Sequence, residues 1–190
     1  MKKLALILCL LLVNSVFAQN QHLTFKGVPI DGTLKDYTEA MKKAGFKYEG
    51  SQDGVSILSG DFAGFKQCLI RVSTLSNCDV VSRIAVLFPD NNTWSSLMQD
   101  YEHLKTMLTN KYGKPKECTE KFTTYAESDF SKMSALKSDE YVWYTTYSTD
   151  LGTIVLFVVA GRSYHTGAVG LVYSDKINSD KVKNAAMEDL

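Results

Sequence analysis

The chain is poor in the groups that usually carry chemistry. It holds three histidines, His22, His103 and His165, scattered across 190 residues. It contains no C-x-x-C, H-E-x-x-H or C-x-x-C-H spacing, so the common zinc and haem sites are excluded. Asp90-Asn91-Asn92 carries oxygen ligands but lacks the acidic residue that closes a calcium loop, and it reads better as helix-start chemistry. No glycine-rich phosphate loop is present. Ser163 and His165 share a turn, yet nothing there resembles a nucleophile elbow. The carboxylate pairs Asp139-Glu140 and Glu188-Asp189 are sequence neighbours, a poor arrangement for an acid/base dyad because adjacent strand residues point to opposite faces. The sequence therefore nominates no catalytic residue, no metal ligand and no cofactor.

Net charge is equally scarce, with 21 basic against 21 acidic residues. Such a balance gives no electrostatic reason to expect nucleic acid or an anionic membrane as partner. Long apolar runs are also lacking, with one exception. Met1-Lys2-Lys3 precedes Leu4 to Val13, an uninterrupted apolar run of 10 residues. A membrane-spanning helix needs roughly 20, so no integral membrane segment is expected. A basic start, a short apolar stretch and Val16-Phe17-Ala18 instead match a secretory signal, cleaved after Ala18. The remainder, a periplasmic or secreted protein, would carry a formal charge of −2 once Lys2 and Lys3 are lost.

What is abundant is apolar and aromatic side chain, 45% and 11% of the chain, which argues for a packed core. Two helices stand out. Thr33 caps one over about 33–44, with Leu34, Tyr37, Met41 and Ala44 at helical spacing and Gly45 as its stop. Asn92 or Thr93 opens a longer one over about 93–112, with Trp94, Leu97, Tyr101, Leu104, Leu108 and Tyr112 on one stripe. Strand patterns follow the first helix at about 46–50, 54–60, 65–73 and 79–88, and the second at about 116–122, 140–148, 153–160 and 167–173. A short helix near 125–137 interrupts the second set, and the tail from about 175 reads as weakly helical and solvated. Pro29-x3-Thr33-Leu34-x2-Tyr37 aligns with Pro89-x3-Thr93-Trp94-x2-Leu97, which suggests an internal repeat. The expected fold is α+β, with tandem helix-plus-four-strand units sharing one antiparallel sheet and helices on one face. The division is a signal at 1–18, a first unit at 19–88, a second at 89–174 and a tail at 175–190.

The run His22 to Gly32, the Leu58 to Gly64 hairpin and Lys111-Tyr112-Gly113-Lys114-Pro115 resemble small exported proteins of Bacteroides-type gut bacteria. That resemblance implies a compartment and names no activity. The tandem layout is similar to the β-lactamase-inhibitor-protein-like fold, a comparison of architecture that implies no function by itself.

Beyond Cys9 in the apolar run, the cysteines are Cys68, Cys78 and Cys118. An exported protein meets an oxidising compartment. Facing Cys68, Ile70 and Val72 against Ile84 and Val86 sets Cys68 opposite Ile84 and Cys78 opposite Thr74 across a three-residue loop at 75–77. Cys68 and Cys78 then lie roughly 20 Å apart, too far for a bridge. The expected disulfide is Cys68–Cys118, with Cys78 free. The alternative is three reduced thiols.

The most unusual stretch is Tyr141 to Tyr147. It places Tyr141, Trp143 and Tyr147 on one strand face and Tyr144 on the other, and the next strand, Ile154 to Val159, is apolar on both faces. A strand facing water should alternate, so something must cover both sides of this region. Cover from within the chain is one solution, and a partner surface or small ligand is another. Aromatic anchors suit interfaces. The functional expectation is an exported, non-enzymatic binding or interaction module that uses a sheet face through Tyr141, Trp143 and Tyr147. The alternatives are an envelope- or dietary-polymer hydrolase and a structural homodimer.

Overall fold

The computed structural model describes residues 21–75, 78–163 and 165–188. The expected signal at 1–18 lies outside them. The protein is α+β. A two-stranded hairpin, β1 (Thr24–Phe25) and β2 (Val28–Pro29), leads to helix α1 (Leu34–Lys43) and four strands, β3 (Lys47–Gln52), β4 (Val55–Phe62), β5 (Phe65–Leu75) and β6 (Cys78–Leu87). Helix α2 (Trp94–Tyr112) opens a second set: β7 (Glu117–Phe122), helix α3 (Asp129–Lys137), β8 (Tyr141–Thr149), β9 (Gly152–Ala160) and β10 (Gly167–Asp175). Helix α4 (Lys176–Glu188) follows.

The two sets join into one eight-stranded antiparallel sheet of order β3-β4-β5-β6-β10-β9-β8-β7. Each set is a meander preceded by a helix, and the last strands of both meet at the centre. Both helices start as expected. Thr33 accepts a hydrogen bond from the Asp36 N–H at 3.1 Å, and Thr93 accepts one from the Ser96 N–H at 3.2 Å. Gly45 and Gly113, at φ of +96° and +82°, turn the chain out of each helix where a Cβ would be strained.

The helices α1, α2 and α3 cover one face. Tyr37 and Met41 of α1 and Leu97, Tyr101, Leu104 and Leu108 of α2 pack on Leu58, Ile70, Val72, Ile84, Val86, Leu156, Val169 and Leu171. Leu136 of α3 and Leu97 of α2 approach Gly167 closely enough to leave no room for a Cβ there. The N-terminal hairpin caps the same layer, its Phe25 ring meeting Phe62 at 4.9 Å and Tyr173 at 5.4 Å. Its turn, Lys26-Gly27, has both residues at positive φ, +52° and +79°, the signature of a tight hairpin.

Three expectations need correction. The β5–β6 register pairs Val72 with Ile84 and Ile70 with Val86, a shift of four residues from the expected pairing. Irregularities beside Thr74 and Leu75 take up the difference, so that Leu75 pairs with Cys78 and no three-residue loop remains. An even shift keeps every side chain on its expected face. Second, the Cys68–Cys118 disulfide is absent, and Cys68, Cys78 and Cys118 are free thiols. β5 and β7 stand five strand positions apart, roughly 24 Å at the usual spacing, far beyond disulfide reach. Third, the tail is more than a solvated appendage. α4 packs against β6, β10, β5 and β9. Its Asn178 is wholly buried and donates to the carbonyls of Ile30 and Val81 at 3.1 and 3.0 Å.

A buried carboxylate fixes that corner. Asp175 is 0% exposed and accepts from the Leu23 N–H at 2.8 Å, from the Asn178 N–H at 2.9 Å and from the His22 ring at 3.0 Å. Asp31 lies 3.4 Å from the other His22 nitrogen. The segment that enters the first hairpin is thus tied to the start of α4 by side chains at both ends of the sequence.

Candidate functional site: the open face of the sheet

Alternation along the strands sends half of the sheet's side chains away from the helices. Three rows can be traced from pairing alone. The first runs Thr119, Tyr144, Phe157, Gly170, Leu87, Leu69, Ser59, Lys47 across all eight strands. The second runs Glu117, Thr146, Val155, Val172, Ala85, Arg71, Ile57, Gly50. The third is polar: Ser148, Thr153, Ser174, Arg83, Ser73, Val55, Gln52.

The centre of this face is apolar without belonging to the core. Tyr144, Val155, Phe157, Val172, Leu87, Leu69 and Ile57 are all half-buried, sheltered by strand neighbours and not by a helix layer. Gly170 makes the middle of the first row possible. The Phe157 ring lies over it so closely that any Cβ at position 170 would strike the ring. A glycine in a central strand usually marks such an approach. On the far side Phe157 pairs with Tyr144, whose hydroxyl donates to the Glu117 carboxylate. Eight strands span roughly 34 Å, and three rows two residues apart cover roughly 20 Å, a plan area on the order of 700 Å².

The sequence-predicted residues lie on the opposite face, under α2. Tyr147 is 0% exposed, and its hydroxyl donates to the Lys105 carbonyl at 3.0 Å and lies 2.9 Å from the Thr109 hydroxyl. Trp143 stands edge-on to Trp94 with ring centroids 4.9 Å apart and meets Phe122 at 5.4 Å. Tyr141 donates to the Val158 carbonyl at 3.1 Å. These three are anchors between helix and sheet and are not part of the open face, to which Tyr144 of the same strand belongs. The parity was legible in the sequence, because Tyr144 was separated from the other three aromatics. Which parity the helices cover was not. The apolar stripe of α2 needs a layer of large side chains opposite it, and Trp143 and Tyr147 supply that layer.

Beside them sits a polar network reaching the β7 edge. Tyr101 and Thr145 share a hydrogen bond of 2.7 Å, the Cys118 thiol lies 3.1 Å from Glu120, and Lys105 pairs with Glu120 at 2.5 Å. Burial works against charge on Glu120, but hydrogen bonds from Lys105 and Cys118 outweigh it and hold the carboxyl below its ordinary value. Glu120 is thereby committed to an ion pair and is not a free base for the thiol beside it.

The histidines are dispersed. His22 is held between Asp175 and Asp31, His103 is an exposed residue of α2 near Phe65, and the His165 ring packs 5.8 Å from Phe130. The turn before β10 is organised by Asp90, which accepts from the Arg162 N–H at 2.9 Å and the Thr166 hydroxyl at 3.0 Å. Among the described residues no cluster of His, Cys, Asp and Glu is placed to hold a metal ion, and no helix is long and apolar enough to cross a membrane.

Open grooves lie elsewhere. One of about 480 Å³ runs between α1 and the β3–β4 edge, lined by Leu34, Thr38, Lys42, Tyr48, Ser56 and Asp79 among others. It exists because a single ten-residue helix leaves the outer strands partly uncovered. A second touches the rim of the open face at Leu69, Ser59 and Lys47, and none of these linings contains a histidine.

Comparison of the chain with protein-family models, with curated proteins and with solved structures gave no match in any of the three.

Proposed function

We propose that the chain is an exported, non-enzymatic binding module that captures a protein partner on the open face of its sheet. One observation carries the reading: apolar side chains in register across the central strands, from Tyr144 through Phe157 and Leu87 to Leu69, on the side away from α1, α2 and α3. An antiparallel sheet facing only water would alternate to polar residues there. Export is supported by the basic and apolar start and by Val16-Phe17-Ala18. A flat face of roughly 700 Å² matches the ~800 Å² that each side of a standard protein–protein interface buries, and small ligands prefer concavities. A hydrolase would need a histidine and a carboxylate in a pocket, and the grooves found hold no histidine.

The test is site-specific photo-cross-linking in extracts of the exported compartment. A cross-linking amino acid replaces Tyr144 on the open face, and in a second protein it replaces Met107, an exposed residue of α2. Discrete adducts from position 144 alone support the reading. Adducts from position 107 alone, or from neither, sink it. An adduct of twice the chain's own mass would assign the face to a homodimer, which sedimentation would show independently.

A further inference from the structure

The open face is apolar at its centre, but it is not electrically neutral. Arg71 and Arg83 both project from it and are exposed. Arg71 pairs with Ala85 and Ile57, and Arg83 pairs with Ser73 and Ser174. The two are therefore diagonal neighbours on adjacent strands, with Cβ atoms roughly 7 Å apart. Among the described residues neither guanidinium has a hydrogen-bond or ion-pair partner. The carboxylates on or beside the face are engaged. Glu117 accepts from Tyr144, Glu49 pairs with Lys47, and Asp61 pairs with Lys66. The face thus presents two uncommitted guanidinium groups beside an apolar strip and a row of hydroxyls.

From this we infer that the partner is acidic at its contact surface, with carboxylates opposite Arg71 and Arg83 and bulky apolar side chains over Phe157, Leu87 and Leu69. The inference rests on the open-face reading and deepens it. Arginine forks match carboxylates two hydrogen bonds at a time, and they gain strength where apolar neighbours exclude water. Complementary charge also rejects wrong partners. A second copy of the chain does not fit this role, because among the described residues the carboxylates on or beside its open face, Glu117, Glu49 and Asp61, already bond to Tyr144, Lys47 and Lys66.

The probes are synthetic peptides with alternating glutamate and phenylalanine, and twins in which glutamine replaces glutamate. Binding to the purified protein is measured by fluorescence anisotropy at low salt and at ~0.5 M salt, where surface charge is largely screened. The glutamate peptide should bind about tenfold more tightly at low salt, and the difference should collapse at high salt. Arg71→Gln with Arg83→Gln should abolish the difference between the two peptides. Phe157→Ser, or Tyr144→Ser should the first variant fail a circular-dichroism check of folding, should weaken both peptides together. Equal affinity of both peptides for the wild type overturns the acidic partner, and the open-face reading stands if Phe157→Ser still weakens them. Binding indifferent to both open-face variants sinks that reading too, as does failure of both peptides to bind.

Discussion

Tyr147→Ala and Phe157→Ser make a paired test of which sheet face is core. Tyr147 is fully buried, and its hydroxyl bonds to the Lys105 carbonyl and the Thr109 hydroxyl. Truncating a buried aromatic side chain costs about 3–5 kcal/mol in transfer and cavity terms. Leaving Thr109 and a carbonyl short of a partner adds roughly 1 kcal/mol. At about 2–4 °C per kcal/mol for a chain of this size, the melting temperature should fall by on the order of 10 °C or more. Phe157 is half-buried and touches no helix, so serine there should cost roughly 1–2 kcal/mol. The assay is urea unfolding followed by tryptophan fluorescence. The reporters are well placed, because the chain's 2 tryptophans, Trp94 and Trp143, meet at 4.9 Å between α2 and β8. A Tyr147→Ala protein destabilised by less than Phe157→Ser would refute the assignment of faces and with it the proposed site.

Three further outcomes follow from particular contacts. In the native protein a thiol reagent should label Cys78 and Cys118 but spare Cys68, which is 0% exposed and whose thiol burial pushes up to about 11; a Cys68–Cys118-linked peptide in a non-reduced digest would contradict this. Asp175→Ala should cost about 2–4 kcal/mol by chemical denaturation, because it leaves the Leu23 and Asn178 N–H groups buried without acceptors, and an effect below 1 kcal/mol would show that water replaces the carboxylate. Glu120 has its native pKa depressed, so its contribution is present above the ordinary carboxylate range and is lost as pH falls through the native value; the melting-temperature gap between wild type and Glu120→Gln should therefore close between neutral and acid pH, and a constant gap would refute the ion pair with Lys105.

Helix starts, strand runs and the helix-then-four-strands order were legible because they are written locally. Thr33 and Thr93 cap, Gly45 and Gly113 stop, and the α2 stripe repeats at helical spacing. What stayed hidden depends on contacts distant in sequence. The β5–β6 register is set by irregularities near Thr74 that no residue pattern announces. The separation of Cys68 from Cys118 follows from β6 pairing with β10 instead of with β7, which puts the second meander on the sheet in reverse order. Asn178 in a polar tail gave no sign that three chain segments would converge on it.

The displacement of the site from Trp143 and Tyr147 to Tyr144 and Phe157 shows how one unknown propagates. Both faces of β8 and β9 carry large side chains, so composition could not separate them. The helices decide. α2 is nineteen residues long and packs on the second meander, and under it the Tyr147 hydroxyl bonds to Lys105 and Thr109. The remaining face keeps side chains that need no buried polar partner: Val155, Val172 and a phenylalanine resting on Gly170. A single layer of helices can shelter only one side of an eight-stranded sheet. The apolar rows on the other side are therefore either a standing cost to the free protein or the part of the surface kept for a partner, and Arg71 and Arg83 on that side, whose guanidinium groups have no partner among the described residues, favour the second.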